Sequence, residues 1–317
     1  MEFRPILSAL LRNKTGAVLV AIQVALSLAI LANALHIVHV RQEVAARPSG
    51  IADESSVFYI DVRNLLTAGF EEQLAMQKRE AAALRAVSGV ASVALVSQMP
   101  LTRSGSTNSV AVDRKQLNET ADASYYITAD SLVDTLGLKI VEGRDFSAAD
   151  VKEVDYTNSK SEPQTVIITR ALAEKMYPGV ASVVGKTMFF GTGDDATASR
   201  IIGVVERLQT QGAAVGLEGE YSTIVAVRGA GTVPRASFAV RTEPGQLERV
   251  VKEAEAALHA SSTAPMITRV RLMTEERTER YRADVALSWM LITVSILLLL
   301  ITASGIVGMA SLWVQQR

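Results

Sequence analysis

The sequence predicts an α+β domain of two subdomains, mixed sheets with helices, inserted between two transmembrane α-helices. Three observations carry that reading. Residues 285–314 contain no charged side chain, and a helix needs about twenty apolar residues to cross a hydrocarbon core about 30 Å thick. Residues 16–40 form a second uncharged run near the other end. Between them, strand-like and helix-like segments alternate with the composition of a soluble domain, so the positive mean hydropathy of +0.22 belongs to the two runs.

Residues 1–15 place Phe3, Ile6, Leu7, Leu10 and Leu11 on one helical face, the pattern of an amphipathic helix lying in the membrane interface. Residues 16–40 are expected to span. Arg4, Arg12 and Lys14 flank the near side, and Arg41 and Arg47 the far side. That bias puts the N-terminus in the cytoplasm and the middle across the membrane. Ala32-Asn33-Ala34 has the small-x-small form of a signal-peptidase site, but the apolar run continues past it, which favours an uncleaved anchor. Ala17, Ala21, Ala25 and Ala29 recur every four residues, a stripe on which another helix could pack closely. Gln23 would prefer a protein neighbour to lipid. His36 and His39 lack a third ligand for a metal, so interfacial histidines are the expectation.

In the middle, residues 56–62, 91–96 and the neighbourhood of Val110 read as strands, and 70–87 as a helix whose stripe is Phe70, Leu74, Ala81 and Leu84. Residues 222–227, 236–241 and 266–272 are further strands, with a proline-opened helix over 244–260. Strand–helix–strand units at both ends suggest one subdomain assembled from residues 45–122 and 213–273. The insert, residues 123–212, is β-rich, with strands at 124–127, 138–141, 165–168, 186–190 and 201–205 and short helices at 130–136 and 170–176. Residues 150–164 are charged and polar and read as an exposed loop. Residues 274–284 alternate in charge and read as a helical stalk leading into the second span. In that span Ser304 and Gly308 repeat the small-xxx-small spacing, and Thr302 and Ser311 add hydroxyls that can bond back to the helix or across to a neighbour.

Several chemistries find no footing. Zero cysteines exclude disulfides, thiolate metal sites and a cysteine nucleophile. A net charge of −1 gives no support for a nucleic-acid partner. Gly179 to Gly185-Lys186-Thr187 resembles a phosphate loop, but five residues separate the glycines where that loop needs four. His259 is the only histidine of the middle and has no partners that would make a triad. No catalytic, cofactor or metal site is therefore assigned.

Taken in order, these segments resemble the MacB/FtsX family of ABC-transporter permeases and their MacB-like periplasmic core domain. The resemblance rests on Leu136-Gly137-Leu138, Glu142-Gly143-Arg144-Asp145-Phe146, Tyr177-Pro178-Gly179, Val184-Gly185-Lys186 and Ile202-Gly203-Val204-Val205, with Gly305-Ile306-Val307-Gly308 near the end. It implies structural roles for Gly143, Arg144, Phe146, Pro178, Gly185, Lys186 and Gly203. It implies a bacterial inner-membrane protein with a periplasmic middle and no catalysis in this chain. ATP and magnesium would sit on a partner ATPase subunit. A second permease copy, a periplasmic adaptor protein and the bilayer are the other implied partners. Permeases of this kind usually carry two more spans, so the sequence would represent their N-terminal half. Two other readings stand beside it: a two-span receptor with a ligand-sensing outer domain, and a membrane-tethered hydrolase, which lacks a nucleophile–base set.

Overall fold

The computed structural model describes residues 14–157, 163–262 and 264–315. The expected interfacial helix of residues 1–15 lies almost wholly outside them. The chain divides into two compact units, one of Pro48–Arg280 and one made of the two flanking segments.

Among the described residues, the larger unit holds two sheets. The first has four antiparallel strands in the order β12-β1-β11-β2, namely β1 (Val57–Asn64), β2 (Val90–Leu95), β11 (Arg235–Thr242) and β12 (Met266–Leu272). Helix α2 (Phe70–Arg85) connects β1 to β2, and α5 (Leu247–Ser261) connects β11 to β12. This is the split βαβ arrangement of ferredoxin-like sheets. The period-two pattern sorts its residues cleanly. Phe58, Ile60 and Val62 join Leu84, Val250 and Leu258 under the two helices. Val57, Tyr59 and Ala239 point the other way, into a second core with Tyr126, Ile167, Ile202, Ile224 and Met273. Helix α5 begins three residues after Pro244 rather than on it, because Pro244 and Gly245 (φ +76°) make the preceding turn.

The second sheet curls into a ring. Strands β4 (Ala121–Thr128), β3 (Thr107–Ala111), β8 (Thr187–Phe190), β9 (Thr197–Val205), β7 (Thr165–Thr169) and β10 (Ser222–Ala230) pair in that order. The ring closes because β10 also pairs with β4, in parallel, from Ser222↔Ser124 to Ala226↔Thr128. Strand β5 (Ile140–Gly143) attaches to β9, and β6 (Lys152–Asp155) to β10. Two short helices, α3 (Leu132–Leu136) and α4 (Arg170–Met176), complete it. Val110, Tyr125, Val166, Ile168, Met188, Phe190, Ile201 and Val225 form one core with Leu172 and Met176 of α4.

Two expectations change. Strands β3 and β10, assigned from sequence to the discontinuous subdomain, belong to the ring, so the inserted sheet draws on residues 107–230 rather than 123–212. The exposed loop expected over 150–164 contains β6, whose Val154 is buried while Lys152, Glu153 and Asp155 keep more exposure. An edge strand of that composition shows little apolar signal in sequence.

The other unit pairs α1 (Lys14–Ala46) with the apolar part of α6 (Met273–Gln315). Both helices are long and apolar enough to cross a membrane. Ser27 and Ala34 are buried in α1, and Ser288, Ser295 and Thr302 in α6. These positions recur at seven-residue intervals, as does Tyr281, which is also buried. That is the spacing of a coiled-coil seam. Ser27 Oγ lies 2.8 Å from Thr302 Oγ1. Because the Thr302 hydroxyl donates to the Leu298 carbonyl, Ser27 is the donor across the seam. Gly305 sits opposite Gln23, where an added Cβ would come within 3.0 Å of Nε2. Arg41 and Asp284 form an ion pair in the same unit.

Candidate functional site: the root of the second membrane helix

Helix α6 starts inside the larger unit. Met273, its first residue, is fully buried in the core shared by the two sheets. The next turns bond to the domain through charged side chains. Glu276 accepts from Tyr59 Oη at 2.9 Å and from Arg271 Nη1 at 3.0 Å. Burial, and then the hydrogen bond to Glu276, push the Tyr59 phenol above its ordinary range. Arg277 grips Glu54 with both arms of its guanidinium, at 2.6 Å each. Burial opposes ionisation of Glu54, but the hydrogen bonds from Arg277 and Ser49 outweigh it and hold the carboxyl below its usual range. Arg280 Nε donates to the Gly212 carbonyl at 3.1 Å, and Arg103 Nη2 donates to the Arg280 carbonyl at 3.0 Å. Residues from Glu54, β1, the Arg103 turn and the segment after β9 thus all hold one helical segment. A cavity of about 260 Å³ lies beside it, lined by Tyr59, Asp61, Arg269, Arg271 and Glu276 among others.

The alternating charges of residues 274–284 are therefore not simply solvated: Glu276 is buried and Arg277 is paired. Two signals were available in sequence, namely Met273 at the head of the helix and the arginines Arg277 and Arg280 one turn apart.

The motif residues fall elsewhere and act on the backbone. Gly143 (φ +75°) and Gly203 face one another in the β5–β9 ladder. A Cβ on Gly143 would overlap the Ile202 carbonyl oxygen, and one on Gly203 the Arg144 carbonyl oxygen. Arg144 pairs with Asp150 through both nitrogens, at 2.8 and 3.1 Å. Those bonds lead the causes that lower the Asp150 carboxyl. Asp150 also closes a capping box with Ser147. Phe146 packs against the core between the sheets. Pro178 is exposed just past the end of α4. Gly185 (φ +87°) turns the chain into β8, and Lys186 Nζ lies 5.6 Å from the Tyr177 ring; the glycine–lysine pair starts a strand.

The small residues of the membrane helices lie mostly away from the seam between α1 and α6. Ala21, Ala25 and Ala29 lie on the exposed side of α1, and Ser304 and Gly308 on the exposed side of α6. Ala17 falls on α1, but only its backbone is described. Within this chain the close approach is made instead by Ser27, Thr302, Gln23 and Gly305. A four-residue stripe drifts off a seam whose repeat is 3.5 residues, which is why the alanines miss it. His259 sits exposed on α5, 3.3 Å from the Thr268 hydroxyl.

No curated protein matches the chain. Among solved structures, a domain described as belonging to a permease protein of Porphyromonas gingivalis aligns with 69% of this chain and 91% of its own, at 14% identity and a TM-score of 0.39. At that distance it carries no argument. Residues 23–257, most of the chain and nearly all of the described domain, match the MacB-like periplasmic core domain, and the chain belongs to that family.

Proposed function

We propose that this chain is a permease subunit, or part of one, of an ABC transporter, and that it carries ATP-driven motion from the membrane to its outer domain for export or extraction of a substrate. One observation supports this most: the apolar helix begins as a core element of the domain, with Met273 buried and Glu276, Arg277 and Arg280 each bonded to a different segment. An anchor that only tethers needs no such root. A displacement of α6 would reach β1 through Tyr59 and the first ring segments through Arg103.

In this reading the chain binds no nucleotide. Hydrolysis is done by a partner ATPase, and the functional unit contains a second permease copy or homologue. The domain lies in the bacterial periplasm, where an adaptor protein is a further partner. The test is purification of the full-length gene product from its own membranes in mild detergent, with ATPase activity assayed on what accompanies it. Recovery of a nucleotide-binding subunit supports the permease. Its absence, together with a small ligand that raises the melting temperature, favours a two-span receptor instead.

A further inference from the structure

Residues 212–217 read Gly-Ala-Ala-Val-Gly-Leu, six positions without a charge. They form a loop that runs into the 3-10 turn Leu217–Glu220. Ala213 is buried, but Val215 is 55% and Leu217 69% exposed. Val215 and Leu217 are thus two large exposed aliphatic side chains, with the carboxylate of Glu218 beside Gly216 between them.

The base of that loop is fixed at two points. Gln209 N donates to the Ser49 carbonyl at 2.8 Å. Arg280 donates to the carbonyls of Gly212 and Ala213, each at 3.1 Å, through Nε and Nη2 respectively. Ser49 and Arg280 are where the chain comes from one uncharged run and departs for the other. Arg280 is separated by four positions from Asp284, after which the second run begins. Four residues rise about 6 Å as helix and reach about 14 Å fully extended. Chain length alone therefore keeps the loop base close to the membrane surface, whatever angle the spans adopt. The headgroup layer adds roughly 5–8 Å on each side of the hydrocarbon.

We propose that residues 214–217 are a membrane-interface contact, with Val215 and Leu217 seated in the headgroup layer of the leaflet on the domain's side. The inference rests on reading residues 16–40 and 285–314 as membrane spans. A lipid surface fits better than a protein partner. Two aliphatic side chains on a short loop fall far short of the roughly 800 Å² per partner that a stable protein interface buries, while an apolar side chain beside a bilayer needs no matching surface. The contact would seat the domain at the point where Arg280 receives α6.

The absence of cysteine makes the test direct. Val215→Cys and Leu217→Cys, each made singly in the full chain, are spin-labelled and reconstituted into phosphatidylcholine–phosphatidylglycerol vesicles. Collision rates with oxygen and with a water-soluble nickel chelate are then compared. Leu117→Cys, at a residue 97% exposed in the β3–β4 connection, gives the aqueous reference, and Leu299→Cys in the second span gives the lipid reference. The expected result is an oxygen-to-nickel ratio at 215 and 217 several-fold above that at 117 and shifted toward that at 299. A ratio equal to that at 117 overturns the proposal, and so does poor access to both reagents, which would mean a protein cover. An aqueous ratio at 299 would remove the spans themselves, and the two failures are thereby told apart.

Discussion

Gly143 lies directly across the β5–β9 ladder from Gly203, and neither position has room for a Cβ. The obstacles are the backbone carbonyls of Ile202 and Arg144, which cannot swing aside as a side chain would. Gly143→Ala adds a left-handed backbone to that overlap and is expected to cost about 3 kcal/mol or more. Gly191→Ala is the control. It has φ +78° with nothing within 4 Å, so only the backbone cost of about 1 kcal/mol applies. Denaturant unfolding of the two variants should separate them clearly.

The seam between the two apolar helices predicts a cross-link. Ser27→Cys with Thr302→Cys should form an intramolecular disulfide under mild oxidation, since the two hydroxyls lie 2.8 Å apart. Ala29→Cys with Thr302→Cys should not, because Ala29 lies on the exposed side of α1. Gel mobility with and without reductant reads the difference. Removing the hydroxyl pair by Ser27→Ala is expected to cost only about 0.6 kcal/mol, the usual size of such bonds in membranes.

Glu80 carries a pH signature. It is buried, and burial raises its pKa; the Asn64 amide donates to Oε1 at 3.0 Å. Its Oε2 and the Asn64 Oδ1 have no partner. A proton on Oε2 could be donated to Asn64 Oδ1, completing an acid–amide pair. A carboxyl raised in the folded state binds more protons there than when unfolded, so stability falls as pH rises from the ordinary glutamate range through the folded value. Glu80→Gln should remove that slope and stabilise the protein at neutral pH. A melting temperature measured from pH 4 to pH 8 checks this, and an unchanged slope would contradict it.

Glu54 should behave in the opposite sense. Its carboxyl is lowered despite burial by the bonds from Arg277 and Ser49. Its contribution is therefore present above the ordinary glutamate range and lost as pH falls through its lowered value. Glu54→Gln should lower the melting temperature at neutral pH and flatten the acid limb below about pH 4.5. If Arg277→Ala has the same effect and the double variant adds little to either, the two residues act as a pair.

Most elements were legible because their periodicity is local. The stripe of α2 and the apolar strands β1, β7 and β10 announce themselves within a few residues. Closure of the ring was not legible, because β10 and β4 pair in parallel across nearly a hundred intervening residues, and no local pattern specifies that register. Strand β6 was hidden by its charge. On the helices, small residues every four positions drew attention away from the seven-residue seam, whose contacts are hydroxyls, Gln23 and one glycine. The root of α6 was half legible. The stalk was visible as alternating charge, but its partners Tyr59, Glu54 and Gly212 are distant in sequence, and nothing local names them.

The most direct test of motion transfer interrupts the helix within its root, between Arg277 and Arg280. Thr278 and Glu279, which follow the Arg277–Glu54 grip, would both be replaced by glycine in the full-length gene product. Each added glycine weakens a helix by about 1 kcal/mol. ATP hydrolysis by the co-purified nucleotide-binding subunit would then be compared with the unaltered complex, with domain folding checked by melting temperature. Hydrolysis is expected to change several-fold while the domain stays folded and the subunit still co-purifies. Unchanged hydrolysis with the helix interrupted would contradict the claim that α6 carries the motion.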